Sequence, residues 1–134
     1  MTKKNNAANA GAARRIGAAV VFAWFVIGGI AHFVSPEPFL KIIPPGLPWR
    51  EHAVAISGFF ELLGAVGLLL RGTRRAAGIG LFLLTVAVTP ANIYMWQHLE
   101  LFPEIPGIAL LLRLPLQLVL LWVIWKVFIS SPGR

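Results

Sequence analysis

Four long apolar runs dominate this chain, over residues 16–34, 52–70, 76–98 and 105–125. Each is close to the roughly 20 residues that a helix needs to cross the hydrocarbon core of a bilayer. Inside lipid every backbone N–H and C=O must find an internal partner, so a run of this length reads as a helix. The pattern predicts an all-α protein, a four-helix transmembrane bundle forming one domain over 16–130. Residues 1–15 are rich in Asn, Ala and basic side chains, and read as a disordered, basic cytoplasmic tail. The first run follows Lys3, Lys4, Arg14 and Arg15, as the core of a signal peptide would. It ends in Gly-Gly-Ile-Ala-His-Phe, which offers no small-residue cleavage pattern, and is read as a retained helix.

The connectors set the topology. With the N-terminus inside, the inner segments hold Lys3, Lys4, Arg14, Arg15, Arg71, Arg74, Arg75, Lys126 and Arg134, and the outer ones hold only Lys41 and Arg50. Basic residues concentrate on the cytoplasmic side, so this asymmetry predicts that both termini are cytoplasmic. The turn at 71–75 is short enough to make the second and third spans antiparallel neighbours. Trp49 and Trp96 fall near the outer interface and Trp122 and Trp125 near the inner one, where indole rings prefer to sit. Trp24 falls in mid-span and is expected to pack between helices.

The first outer connector, 35–51, carries Pro36, Pro38, Pro44, Pro45 and Pro48, with Phe39, Leu40, Ile42 and Ile43 between them. The prolines oppose a continuous helix. The apolar residues oppose a solvated loop. Two placements satisfy both, a short amphipathic piece on the outer leaflet or a segment folded over the mouth of the bundle. Pro90 and Pro115 fall inside the third and fourth spans. Each removes one backbone donor, which either kinks the helix or frees a carbonyl to line a polar cavity.

The chain is 57% hydrophobic and 13% charged, which leaves little material for a soluble domain. Its formal net charge of +7 follows from the basic juxtamembrane segments, so the expected partner is the lipid bilayer and not nucleic acid. There is no cysteine. That excludes thiolate nucleophiles and cysteine-ligated zinc or iron–sulfur centres.

Against this background three polar residues stand out, Glu61, Asn92 and Arg113, each inside a different apolar run. Ionisable groups in lipid are costly, and mark a functional or packing site with a partner. At 1.5 Å per residue, Glu61 lies about 13 Å, Arg113 about 12 Å and Asn92 about 9 Å below the outer ends of their spans. Ser57 and Glu61 stand four residues apart, as do Arg113 and Gln117, and Thr85, Thr89 and Asn92 follow the same periodicity. Each set shares one helix face. Two readings follow for the layer of Glu61, Arg113, Asn92, Gln117 and Ser57. In one, Glu61 and Arg113 form a buried ion pair that fixes helix register. In the other, the layer lines a pocket for a small ligand such as a quinone headgroup or a small anion.

His32, His52 and His98 fall near the outer ends of the first three spans. His32 and His98 are the pair to consider for a proton relay, a metal or a haem; His52, beside Glu51, reads as a helix start. Glycines at 28, 29, 58, 64, 67, 78 and 80 predict close helix approach. No nucleophile–base pair, phosphate loop or metal-ligand spacing is present, so the chain is not expected to be an enzyme by itself.

Several segments together resemble the DoxX family of small bacterial membrane proteins. They are Gly28-Gly29-Ile30-Ala31-His32-Phe33, Ile43-Pro44-Pro45-Gly46-Leu47-Pro48 and Ser57-Gly58-Phe59-Phe60-Glu61-Leu62-Leu63-Gly64, then Thr73-Arg74-Arg75, Pro90-Ala91-Asn92-Ile93-Tyr94-Met95 and Arg113-Leu114-Pro115-Leu116-Gln117. The resemblance implies a four-helix protein of the bacterial cytoplasmic (inner) membrane, with His32, Glu61, Asn92 and Arg113 as family-typical residues. The family takes its name from a subunit associated with thiosulfate:quinone oxidoreduction; other members are linked to oxidative-stress complexes. It implies a redox-accessory subunit that binds a quinone-like ligand and meets other membrane or redox subunits or further copies of itself. The alternatives are a non-catalytic assembly protein with a structural polar layer, and a small-solute permease.

Overall fold

The computed structural model describes residues 1–130. The described residues are mainly helical: α1 (Thr2–Val34), α2 (Glu37–Lys41), α3 (Arg50–Leu69), α4 (Arg74–Ala87), α5 (Thr89–Gln97) and α6 (Gly107–Ile124), which runs on as one π-helical turn, Trp125–Ile129. A short 3₁₀ turn, Leu99–Leu101, joins α5 to α6. Four helices, Thr2–Val34, Arg50–Leu69, Arg74–Gln97 and Gly107–Ile129, are long and apolar enough to cross a membrane. They make a four-helix, membrane-type bundle. Arg134, counted above among the inner charges, lies outside the described residues.

Two boundaries differ from expectation. The segment before Ile16, expected to be a disordered tail, continues α1 as exposed helix. Its five alanines between Ala7 and Ala13 have the highest helix propensity, and an adjoining helix removes the cost of nucleation. At 33 residues α1 spans about 50 Å, well beyond the roughly 30 Å hydrocarbon core. The third span is broken at Val88, between α4 and α5. Pro90 has no N–H for the carbonyl of Val86, and the chain restarts with Pro90 in the first turn of α5. Pro115, in contrast, sits inside α6 without interrupting it.

The break redirects packing. α3 packs on α1 and α4, whereas α5 packs chiefly on α6. α3 and α6 are therefore diagonal in the bundle. In the half of the bundle nearer the two termini, called the inner half for the orientation expected above, Val21, Phe25, Ala65, Leu81, Ile124 and Phe128 belong to one close-packed core. In the outer half a smaller cluster joins Ile42, Met95, Phe102 and Leu110. The outside is apolar: Ile16, Ile27, Leu69, Leu83, Leu118 and Trp122 are all exposed. On a protein in water such a surface would be an association site; around this bundle it is the face presented to lipid. Trp24, expected to pack between helices, is 45% exposed.

The proline-rich connector takes the second of its two expected placements and folds over the bundle. Phe39 of α2 stacks on His32 with ring centroids 3.8 Å apart, and Ile42 is only 8% exposed. Gly46, at φ +118°, makes a left-handed turn that disfavours any side chain. Arg50, at the start of α3, latches the segment by donating to the carbonyl oxygens of Leu40 and Ile43. A hydrogen bond to a charged donor contributes about 1.5–3 kcal/mol. Arg50→Gln is therefore expected to speed amide exchange across residues 36–49 about tenfold or more, with little change in α4. Unchanged exchange in hydrogen–deuterium mass spectrometry would show that the latch does not hold the segment.

Candidate functional site

Between the inner core and the outer cluster lies a cavity of about 600 Å³. Its walls come from α1, α3, α4, α5 and α6, and the folded connector covers it with Phe39, Ile42, Ile43 and Leu47. The space exists because α5 leans to α6 beyond the break at Val88, while α3 stays on α1. Of the seven residues singled out from the sequence, Glu61, Arg113, Asn92, Gln117, Ser57 and His32 all line it. His98 does not. Its Nδ1 donates to the carbonyl of Tyr94 at 2.9 Å and its ring stacks on Tyr94, so the helix end that carries it holds it away from the cavity. The expected His32–His98 pair is thus not assembled. Among the described residues there is no group of three or more His, Cys, Asp or Glu side chains placed to hold a metal ion.

The polar lining divides into two parts. The first is largely hydrogen-bonded within itself. Asn92 Nδ2 donates to Gln117 Oε1, and Gln117 Nε2 donates to Thr89 Oγ1 at 2.5 Å and to the Thr85 carbonyl at 3.4 Å. Thr85 and Thr89 donate in turn to the carbonyls of Leu81 and Thr85, at 2.7 and 3.1 Å. The residues at 85, 89 and 92 occupy one face because they follow the helical period across the break. Gln117, 6% exposed, joins that face to α6.

The second part is open. Glu61 reaches inward from α3 with its side chain 13% exposed, and its Oε2 atom is buried without a hydrogen-bond partner. Gly28 on α1 makes room for it, because a Cβ there would lie 2.9 Å from that oxygen. His32 Nδ1 lies 2.7 Å from the Gly28 carbonyl and 3.6 Å from Glu61 Oε2. A carbonyl only accepts, so Nδ1 carries the hydrogen and aims it at Gly28, with Glu61 at the edge of its reach. Ser57 stands one turn outward of Glu61 on the same wall. Arg113 enters from α6, and among the described residues its guanidinium donates only to the thioether of Met95, a weak acceptor, at 3.7 Å.

The Glu61–Arg113 ion pair of the first of the two readings is not formed. The contact Glu61 does make within ion-pair range is with His32, at 3.6 Å. The reason is the bundle order: α3 and α6 are diagonal, so the two charges face each other across the cavity and interact through it without touching. Residues that sequence reasoning left out of the site are Met95, Gly28 and the covering Phe39 and Ile42. The apolar residues between the connector's prolines were the available signal for the last two.

The fold and site define a class, a four-helix membrane-type protein with a covered internal cavity. A family model described as a domain of unknown function (DUF8561) matches residues 21–128, and the chain belongs to that family. The match takes in the packed part of α1, all later helices and every residue of the cavity. No curated protein and no solved structure matches the chain.

Proposed function

We propose that this chain is a ligand-binding subunit of the bacterial inner membrane, of the DoxX type, that holds a small apolar, quinone-like molecule in the cavity. Both termini lie in the cytoplasm and the connector at 35–49 covers the site from outside. The chain acts with other membrane or redox subunits or as a homo-oligomer, and is not an enzyme by itself. One observation carries this reading: an apolar cavity of about 600 Å³ into which an unsatisfied carboxylate oxygen and a nearly unpartnered guanidinium both project. Ligand pockets have this make-up, apolar walls with a few convergent polar groups. A purely structural polar layer would spend its donors and acceptors on itself.

A specific observation also favours a second reading, that of an assembly protein. The Asn92–Gln117–Thr89–Thr85 part of the lining is satisfied internally, as a register-setting contact requires. The two readings part on Glu61. Mass spectrometry of the protein extracted in native lipid is expected to find one apolar ligand at near-stoichiometric occupancy. In a folded Glu61→Gln variant that occupancy is expected to fall about tenfold, the weight of a charge-assisted hydrogen bond. Bulk lipid alone in the wild type, with a loss only of thermal stability in the variant, would favour the assembly protein.

A further inference from the structure

Resting on the reading that the cavity holds a quinone-like ligand, we infer that the ligand's head is uncharged and carries both a hydrogen-bond donor and an acceptor, as the phenolic hydroxyl of the reduced, quinol form does and the carbonyl of a quinone does not. The Asn92–Gln117 part of the lining selects less, because these two side chains are already engaged with each other. Selection falls to the open groups. Glu61 Oε2 is a buried acceptor without a donor. Arg113 is a fork of donors whose one side-chain hydrogen bond goes to a thioether. The two stand on diagonal helices facing one space, so a head placed between them gives a hydrogen to Glu61 and accepts one from Arg113.

Charge argues the same way. With Glu61 ionised, its carboxylate balances the guanidinium. An anionic head gains Arg113 but crowds Glu61, and a cationic head does the reverse, in partly buried surroundings where screening by water is weak. A head that only accepts leaves Glu61 Oε2 unpaired, which costs most when the group is buried. A head that carries a hydroxyl supplies both a donor and an acceptor, and its apolar body then lies under Phe39 and Ile42.

The test is a matched series of one body with four heads, applied to the full chain in lipid nanodiscs. The probes are para-butylphenol, para-butylanisole, para-butylbenzoate and para-butylbenzylammonium, with protein-free nanodiscs subtracted. Saturable binding of the phenol is expected to be about tenfold tighter than that of each other probe. In Glu61→Gln the benzoate is expected to gain about tenfold, and in Arg113→Gln the benzylammonium, since each variant removes the charge that repelled that probe. Equal binding of all four heads, or benzoate as the tightest ligand of the wild type, overturns the inference and leaves ligand binding in the cavity standing. Absence of saturable binding by every probe overturns ligand binding and the inference together. The wild-type series carries the test even if neither variant folds.

Discussion

Gly58→Ala is expected to destabilise the bundle by about 1–3 kcal/mol, the usual cost of forcing extra volume into a close-packed contact. α1 and α3 touch through their backbones here. A Cβ at Gly58 would lie 2.6 Å from His32 Cβ, 3.0 Å from the Phe33 ring and 3.2 Å from the Gly29 carbonyl oxygen. His32 Cβ is tied to the backbone and cannot swing aside, so α1 itself must move. That movement carries His32 away from Glu61 and Phe39, so the site is disturbed along with the fold. Gly58→Leu is expected to separate the two helices. Gly80 supplies the contrast, because a Cβ there meets nothing within 4 Å. Gly80→Ala is expected to be neutral or to stabilise by up to about 1 kcal/mol through helix propensity. Unfolding in bicelles by titration with a denaturing detergent measures all three. Equal effects at Gly58 and Gly80 would show that the α1–α3 approach is not as close as described.

Gln117→Leu is expected to cost about 1–2 kcal/mol. Hydrogen bonds between helices in a membrane average about 0.6 kcal/mol and reach about 1.7. Gln117 ties Asn92, Thr89 and the Thr85 carbonyl to α6, and its loss leaves the amide of Asn92 without a partner. The asymmetry of buried hydrogen bonds predicts the rest: a widowed polar group costs more than an absent pair. Asn92→Leu/Gln117→Leu together is therefore expected to be less destabilised than the sum of the two single variants. A double-mutant cycle in the same bicelle titration reads this coupling directly. Strict additivity would mean that the two amides do not interact. Neither substitution removes Glu61 or Arg113, so the cycle separates the internally hydrogen-bonded part of the lining from the open part.

The fate of the two charges shows where sequence reasoning stopped. Glu61, Arg113 and Asn92 were legible as one layer because rise along a helix turns sequence position into depth. An ion pair between Glu61 and Arg113 was one of two readings at equal depth, and it fails because their helices are diagonal. Depth was also misleading for the histidines. His32 and His98 sit near the same level, yet one turns into the cavity and the other lies on Tyr94. Thr85 and Thr89 were visible as a stripe with Asn92, but that Gln117 would join them depended on α5 packing against α6.

What the sequence determined by itself is one-dimensional: four apolar lengths set by the thickness of a bilayer, the basic clusters between them, and the depth of each polar residue. These follow from local composition and helical rise, whatever the neighbours. Only the tertiary structure decided that the connector at 35–49 covers the bundle, that the break before Pro90 opens a cavity, and that Glu61 and Arg113 face across it unpaired. Those outcomes depend on how each helix is rotated about its axis and which helix stands beside it. Hydropathy is nearly blind to both in lipid, where the outside of the bundle is as apolar as its core.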